Sequence, residues 1–217
     1  MVKAPRRTRG GRGRPARAGS PAWAPGVEPL IPAGALRARV RALGRAISRD
    51  YAGRSLTLVC VLKGAAVFFA DLARAIRLPV ELEFIAVSSY AGATESSGEV
   101  RLSADVARPL AGKDVLLVED IVDTGLTAGF LVGLLQARGP RSVALCSLLV
   151  KPARAKVQVD IAYRGFVIDD VFVVGYGLDA AERWRNLPYL GVLRGTRPPA
   201  PGRRGRSAAR RQRRRSG

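Results

Sequence analysis

The apolar run Val115-Leu116-Leu117-Val118 stops at Glu119-Asp120, and Ile121-Val122-Asp123-Thr124-Gly125-Leu126-Thr127-Ala128 follows as a small, polar turn. A short β-rich apolar run closed by turn residues reads as a buried strand, and the Gly/Ala/Leu-rich pattern from Gly125 to Ala137 reads as the helix after it. At such a turn the backbone N–H groups and the positive end of the helix dipole face outward together. The hydroxyls of Thr124 and Thr127 add donors, so the turn suits a phosphate. Two carboxylates beside it would repel that anion unless they bond sugar hydroxyls or hold a divalent metal. The combination points to a phosphorylated sugar.

The same unit recurs along the chain. Residues 33–52 place Leu36, Val40, Leu43 and Ile47 at helical spacing, with a stop near Gly53. Leu56 to Leu62 reads as a strand, Ala65 to Ile76 as a helix and Val80 to Val87 as a second strand. Ser88 to Gly98 is small and polar, a long loop with a short hairpin extending to Leu102. Val115 to Val118 is the third strand, Thr127 to Arg138 its helix, Ser142 to Val150 the fourth strand and Val171 to Val174 the fifth. Strict alternation implies right-handed crossovers and a doubly wound, mainly parallel five-stranded α/β sheet flanked by helices. Ligands of such sheets sit beyond the carboxyl ends of the strands. Lys63-Gly64, Ser88-Ser89-Tyr90, Glu119-Asp120, Lys151 and Gly175 to Asp179 each follow a strand, so all fall on that one edge.

Charge separates the core from the ends. The 217 residues hold 37 Lys and Arg against 17 Asp and Glu, a formal charge of +20. Seven of the basic residues lie in residues 1–17 and ten in residues 194–217, where no acid occurs, which leaves the middle nearly neutral. Residues 1–24 and 194–217, rich in Arg, Gly and Pro, cannot build a core and read as disordered tails around one domain over residues 25–193. The tails are suited to nonspecific nucleic-acid contact, without aromatics for base stacking. Cys60 and Cys146 lie within apolar runs and read as reduced core residues. No segment has the apolar length to cross a membrane, and a cytoplasmic protein is expected. With no histidine in the chain, proton transfer falls to carboxylates, Lys, Tyr or water.

Five motifs in order then resemble the type I phosphoribosyltransferases, and within them the hypoxanthine-guanine phosphoribosyltransferases. They are Leu62-Lys63-Gly64, Ser88-Ser89-Tyr90, Val118 to Thr127, Leu148 to Arg154, and Phe172 to Asp179 with Arg183-Trp184-Arg185, spread over about residues 56–193. The resemblance implies a magnesium-dependent enzyme of purine salvage. It would move the phosphoribosyl group of 5-phosphoribosyl diphosphate (PRPP) to N9 of hypoxanthine or guanine, giving IMP or GMP and diphosphate. It also implies a homodimer or homotetramer, and a small hood from about residues 25–55 and 180–193 over the base.

Residue by residue, the resemblance puts Glu119 and Asp120 at the ribose hydroxyls and Asp123, Thr124, Gly125, Leu126 and Thr127 around the 5′-phosphate. Asp123 becomes the acceptor of the purine N7 proton, alongside its ability to cap the helix. Lys151 donates to the 6-oxo group. Val173 meets the exocyclic edge, and Phe172 and Ile121 cover the two faces of the base, although Phe172 also suits the core. Asp179 reaches a second magnesium ion through water, Glu119 and Asp120 are the other metal residues, Arg185 grips diphosphate, and Lys63 and Gly64 form the diphosphate loop, often with a cis Leu62–Lys63 peptide. Ser89 and Tyr90 start a lid that keeps water out. The chain departs from the family at Val171, where many relatives carry a charge, and at Ala180-Ala181, which replaces an aromatic-containing pair. Two alternatives stand beside this reading: a phosphoribosyl-binding regulatory protein that holds RNA, and an enzyme of the same class preferring xanthine or adenine.

Overall fold

The computed structural model describes residues 23–89 and 100–193. Tyr90 and nearly all of the two tails lie outside these residues. Ala24, assigned by sequence to the first tail, is fully buried.

Two sheets form. The larger has six strands in the order β4-β3-β2-β5-β6-β7. These are β2 (Leu56–Leu62), β3 (Val80–Ser89), β4 (Val100–Ala104), β5 (Asp114–Val122), β6 (Ser142–Val150) and β7 (Tyr163–Val167). Five run parallel, and β4 closes the edge antiparallel to β3. The doubly wound α/β class expected from the alternation is the one observed. Its fifth parallel strand, however, is β7 and not Val171 to Val174. That segment supplies β8 (Val173–Val174) to a separate sheet, β1-β9-β8, with β1 (Val27–Ile31) and β9 (Leu190–Leu193).

Alternation along β2 and β5 divides the core into two layers. Leu58, Cys60, Leu116 and Val118 face α1 (Ala33–Asp50) and α2 (Ala66–Ala75), while Val59, Val61, Val115 and Leu117 face α3 (Leu126–Gln136). Helix α1 forms because Leu36, Val40, Leu43 and Ile47 return to one side every turn, and all four are buried. Its Gly44 abuts α2, where an added Cβ would run into Ala75. Thus α1 packs in the main core, and the hood expected over residues 25–55 takes only β1 from that stretch. Within the small sheet Val27, Val174, Leu187 and Leu193 form their own cluster. Cys60 and Cys146 are free and buried, and burial pushes the Cys60 thiol up to about 12. Among the described residues no helix is long and apolar enough to cross a membrane.

Candidate active site

Strand β5 carries the acidic doublet at its carboxyl end, further inside the strand than the sequence expectation placed it. Successive side chains of a strand point to opposite faces. Glu119 therefore turns into a small cavity of about 70 Å³ with Thr124, Gly125 and Thr127, while Asp120 lines a cleft of about 210 Å³. Both sites share Ile121 and Asp123.

The small cavity sits at the start of α3. Gly125 takes a left-handed φ of 82°, and an added Cβ would overlap Val157 O, so the turn requires glycine. Thr124 O accepts N–H bonds from Lys156 (2.9 Å) and Val157 (3.1 Å), which brace the turn from outside. Thr124 Oγ1 accepts the Leu126 N–H at 3.4 Å, the N-cap residue Gly125 brings no side chain to α3, and the helix's first turn holds no acid. Its N-terminal N–H groups thus remain a seat for an anion. The Leu126 side chain is 39% exposed and lines neither cavity; only its backbone belongs to the turn.

The cleft gathers Ile121, Asp123, Lys151, Phe172, Val173, Leu178 and Asp179 around Asp120. Lys151 is pinned by its own N–H, which donates to Val122 O at 3.0 Å, and is only 7% exposed. Its Nζ lies 3.5 Å from Asp170 Oδ1, and the same oxygen is 3.5 Å from Arg154 Nη1. Arg154 Nε in turn stands 2.9 Å from Asp123 Oδ1. That contact is an ion pair without hydrogen-bond alignment, so Asp123 Oδ1 is a buried acceptor with no donor bonded to it.

The loop after β2 closes the third side. The Leu62–Lys63 peptide is cis. Gly64 touches Asp120 so closely that an added Cβ would overlap Asp120 Oδ2, and Gly177 meets Gly64 O in the same way. Arg185 ties the layers together: Nη1 donates to Gly177 O at 2.8 Å, and Nη2 lies 2.7 Å from Asp179 Oδ1. Lys63 lines neither cavity; its Nζ pairs with Glu182 Oε2 at 3.3 Å. Ser89 ends β3 next to Val100.

Electrostatics mark the doublet. Burial drives Glu119 well above the usual carboxylate range, with the neighbouring Asp120 charge adding to it. Burial likewise lifts Asp120 to about 6, against the Ile121 N–H it accepts at 2.9 Å and the more distant Arg185. Such carboxylates call for a positive or hydroxyl-bearing ligand. Among the described residues no three His, Cys, Asp or Glu side chains converge to hold a metal. Of the three carboxylates expected at metal, Asp120 and Asp179 share the cleft, and Glu119 faces the other cavity. Two carboxylates in one cleft still fit magnesium, which keeps several waters and takes its other ligands from phosphate oxygens.

The sequence expectation assigned no role to Arg154, Asp170, Leu178 or Glu182, which join the site through contacts. The Pro152-Ala153-Arg154 run directly after Lys151 was the available signal for the first of these.

Comparison with known proteins gives the family. The phosphoribosyl transferase domain model matches residues 31–181. The chain is 51% identical over 170 residues to a hypoxanthine-guanine phosphoribosyltransferase of Mycobacterium avium, covering 76% of this chain and 84% of the relative. It is 49% identical over 163 residues to the one of Dictyostelium discoideum, covering 73% and 91%. A crystal structure of a hypoxanthine-guanine phosphoribosyltransferase from Bacillus anthracis superposes with a TM-score of 0.73 at 43% identity, covering 76% of this chain and 97% of that one. The chain belongs to the phosphoribosyltransferase family, on the branch of the hypoxanthine-guanine phosphoribosyltransferases.

Proposed function

We propose that the enzyme transfers the phosphoribosyl group of PRPP to N9 of hypoxanthine or guanine, releasing diphosphate and yielding IMP or GMP. The observation that carries this reading is the cleft lined by a buried lysine, a carboxylate oxygen that accepts no hydrogen bond, and the apolar side chains of Ile121 and Phe172. Lys151 donates to the 6-oxo group, Asp123 Oδ1 accepts the N7 proton, and Phe172 and Ile121 hold the ring between them. Val173 meets the exocyclic edge.

The N9 lone pair attacks the anomeric carbon as its bond to diphosphate breaks and diphosphate leaves with the electron pair. The N7 proton passes to Asp123. Glu119 and Asp120 accept from the ribose hydroxyls, and their negative field favours the positive charge that develops on the sugar. The 5′-phosphate rests on the N–H groups of residues 124–127 and the hydroxyls of Thr124 and Thr127. Lys63, Gly64 and Arg185 receive diphosphate, and on ligand arrival Arg185 exchanges part of its contact with Asp179 for phosphate oxygens. Asp179 and Asp120 would hold magnesium, which would supply charge neutralisation for the leaving diphosphate. Ser89 and Tyr90 begin the lid that excludes water.

The organisation that goes with this activity is a catalytic domain over about residues 25–193 between two basic tails, acting in the cytoplasm. Leu82 and Phe84 on β3, 47% and 45% exposed, with Val67 on α2 at 39%, supply apolar surface for a homodimer or homotetramer.

Diphosphate release with PRPP, magnesium and each of hypoxanthine, guanine, xanthine and adenine tests the reading. Turnover with the first two, giving IMP and GMP, is expected. Adenine should be poor because Lys151 would face an amino group. No turnover with any base would favour a phosphoribosyl-binding regulator, and a preference for xanthine or adenine would overturn the base assignment alone.

A further inference from the structure

A cavity of about 510 Å³ lies apart from the catalytic cleft, in the groove between α1 and α2. Arg37, Arg41, Arg45, Arg74 and Arg77 line it, with Asp71 as the one acid. Asp71 is already engaged: Oδ1 pairs with Arg74, and Oδ2 accepts the Tyr176 hydroxyl at 2.6 Å. Among the described residues none of Arg37, Arg41, Arg45 or Arg77 pairs its guanidinium with a carboxylate. Elsewhere several basic side chains meet acids, with Arg54 and Arg141 on Asp114, Arg138 on Asp105 and Lys113 on Glu81, while Arg39, Arg49 and Arg164 donate to backbone carbonyls.

The fold fixes this concentration of charge. Gly44 and Ala75 meet at the helix crossing so closely that a Cβ on Gly44 has no room. Arg41 and Arg45 flank that contact on α1, as Arg74 at the end of α2 and Arg77 just beyond it do on the other side. The C-terminal end is locked as well, because Arg77 N–H donates to Ser48 Oγ at 2.8 Å and Ser48 Oγ donates to Gly44 O at 2.6 Å. The helix spacing of Arg37, Arg41 and Arg45 stacks three like charges on one stripe, an arrangement that costs stability unless an anion answers it.

We propose that this groove binds the phosphate backbone of a nucleic acid strand, independently of its sequence. The stripe from Arg37 to Arg45 is on the order of 12 Å long at 1.5 Å per residue. That length spans about three phosphates of one strand, spaced roughly 3.4 Å along the axis, and exceeds one compact phosphate group. Guanidinium forks match phosphate oxygens, and no aromatic side chain lines the groove to read bases. The chain itself offers no occupant. Its remaining segments, residues 1–22, 90–99 and 194–217, contain only Glu95 and Glu99 as acids, and a second copy would bring the same charge of +20.

The test uses the full chain and an oligouridylate of about 20 nucleotides, with affinity measured between about 50 and 200 mM salt. Because the tails also attract polyanions, the informative quantity is the change in salt dependence on replacing R41Q, R45Q and R77Q together. Removing three contacts should reduce the log–log slope by about 2, so that the affinity ratio between the two salt concentrations narrows about fifteenfold. The same reduction is expected with oligothymidylate. The variant R49Q/R108Q/R164Q, equal in charge but outside the groove, should leave the slope within about 0.5 of the parent if the site is local, and the lysine triple R41K/R45K/R77K should keep most of it. Equal losses in the groove and control variants would overturn the proposal, as would competition by poly-glutamate as strong as by RNA. Should the glutamine variant fold poorly, the parent answers directly: RNA should shield Arg41, Arg45 and Arg77 from phenylglyoxal, and shielding confined to the tails would contradict the groove site.

Discussion

The two ends of strand β5 hold carboxylates in opposite surroundings. At its start, Asp114 is fully buried and fully answered: Arg54 donates to Oδ1 at 2.9 Å, Ser142 Oγ to the same oxygen at 2.5 Å, and Arg141 to Oδ2. Arg141 above all holds its carboxyl down to about 2. At its end, Glu119 is buried and Asp120 half-buried, neither joins an ion pair among the described residues, and both are pushed upward. Three side chains from two stretches of the chain neutralise the first end; the other is left open to a ligand. A buried charge stabilises a fold only where its partners are built in, and one without partners holds free energy that binding releases.

The sharpest contrast is expected in activity. Asp123→Asn removes the N7 proton acceptor and should lower kcat/KM for hypoxanthine about 10³-fold, with melting temperature nearly unchanged, as steady-state kinetics and calorimetry would check. Gly64→Ala should cost about 10²-fold, because the added Cβ displaces Asp120 and the diphosphate loop together. At the other end, Asp114→Asn should leave kcat/KM within a few-fold while destabilising the fold by about 3 kcal/mol, read as a melting temperature lower by about 6–12 °C.

The smallest effect carries the opposite sign. Asp120→Asn should stabilise the ligand-free enzyme at neutral pH by about 1–2 kcal/mol, since it removes a charge that burial disfavours. The pH dependence separates the ends. The Asp114 contribution is present above the unfolded carboxyl value of about 3.9 and is lost as pH falls through about 2. The Asp120 penalty is absent below about 3.9, grows as pH rises and is complete above about 6, so the gain from Asp120→Asn should vanish in acid. Thermal scans from pH 3 to 8, a span of about five units, would reveal a reversed order of effects if the assignment of the two ends were wrong.

Much of this asymmetry is legible in the residues. β2 and β6 begin and end where periodicity puts them, because their apolar runs are bounded by clear turn residues. The doublet, the turn after it and Lys151 are visible for the same reason: each polar residue interrupts or ends an apolar run. β7 is harder to see, since Arg164 and Gly165 dilute its pattern. The glycine is there because Leu148 O occupies the space of a Cβ, a tertiary demand that no local window contains. Val171 to Val174 looks like one more core strand, yet its Val173–Val174 pairs with β9, which in turn pairs with β1 from the start of the described chain. Arg154 and Asp170 are separated by sixteen positions and become a network only when β6 and the segment after β7 lie side by side. Asp114, just ahead of an apolar run, gives no hint that two arginines and a serine from distant positions will surround it.

The most direct test compares Asp114→Asn with Asp120→Asn at neutral pH, measuring melting temperature without ligand and kcat/KM on each folded preparation. The expected result is a crossed pattern: the first protein melts lower and turns over normally, the second melts higher and is nearly inactive. If both substitutions lower melting temperature by similar amounts and spare turnover, the carboxyl end of β5 is a structural element and not the seat of the reaction.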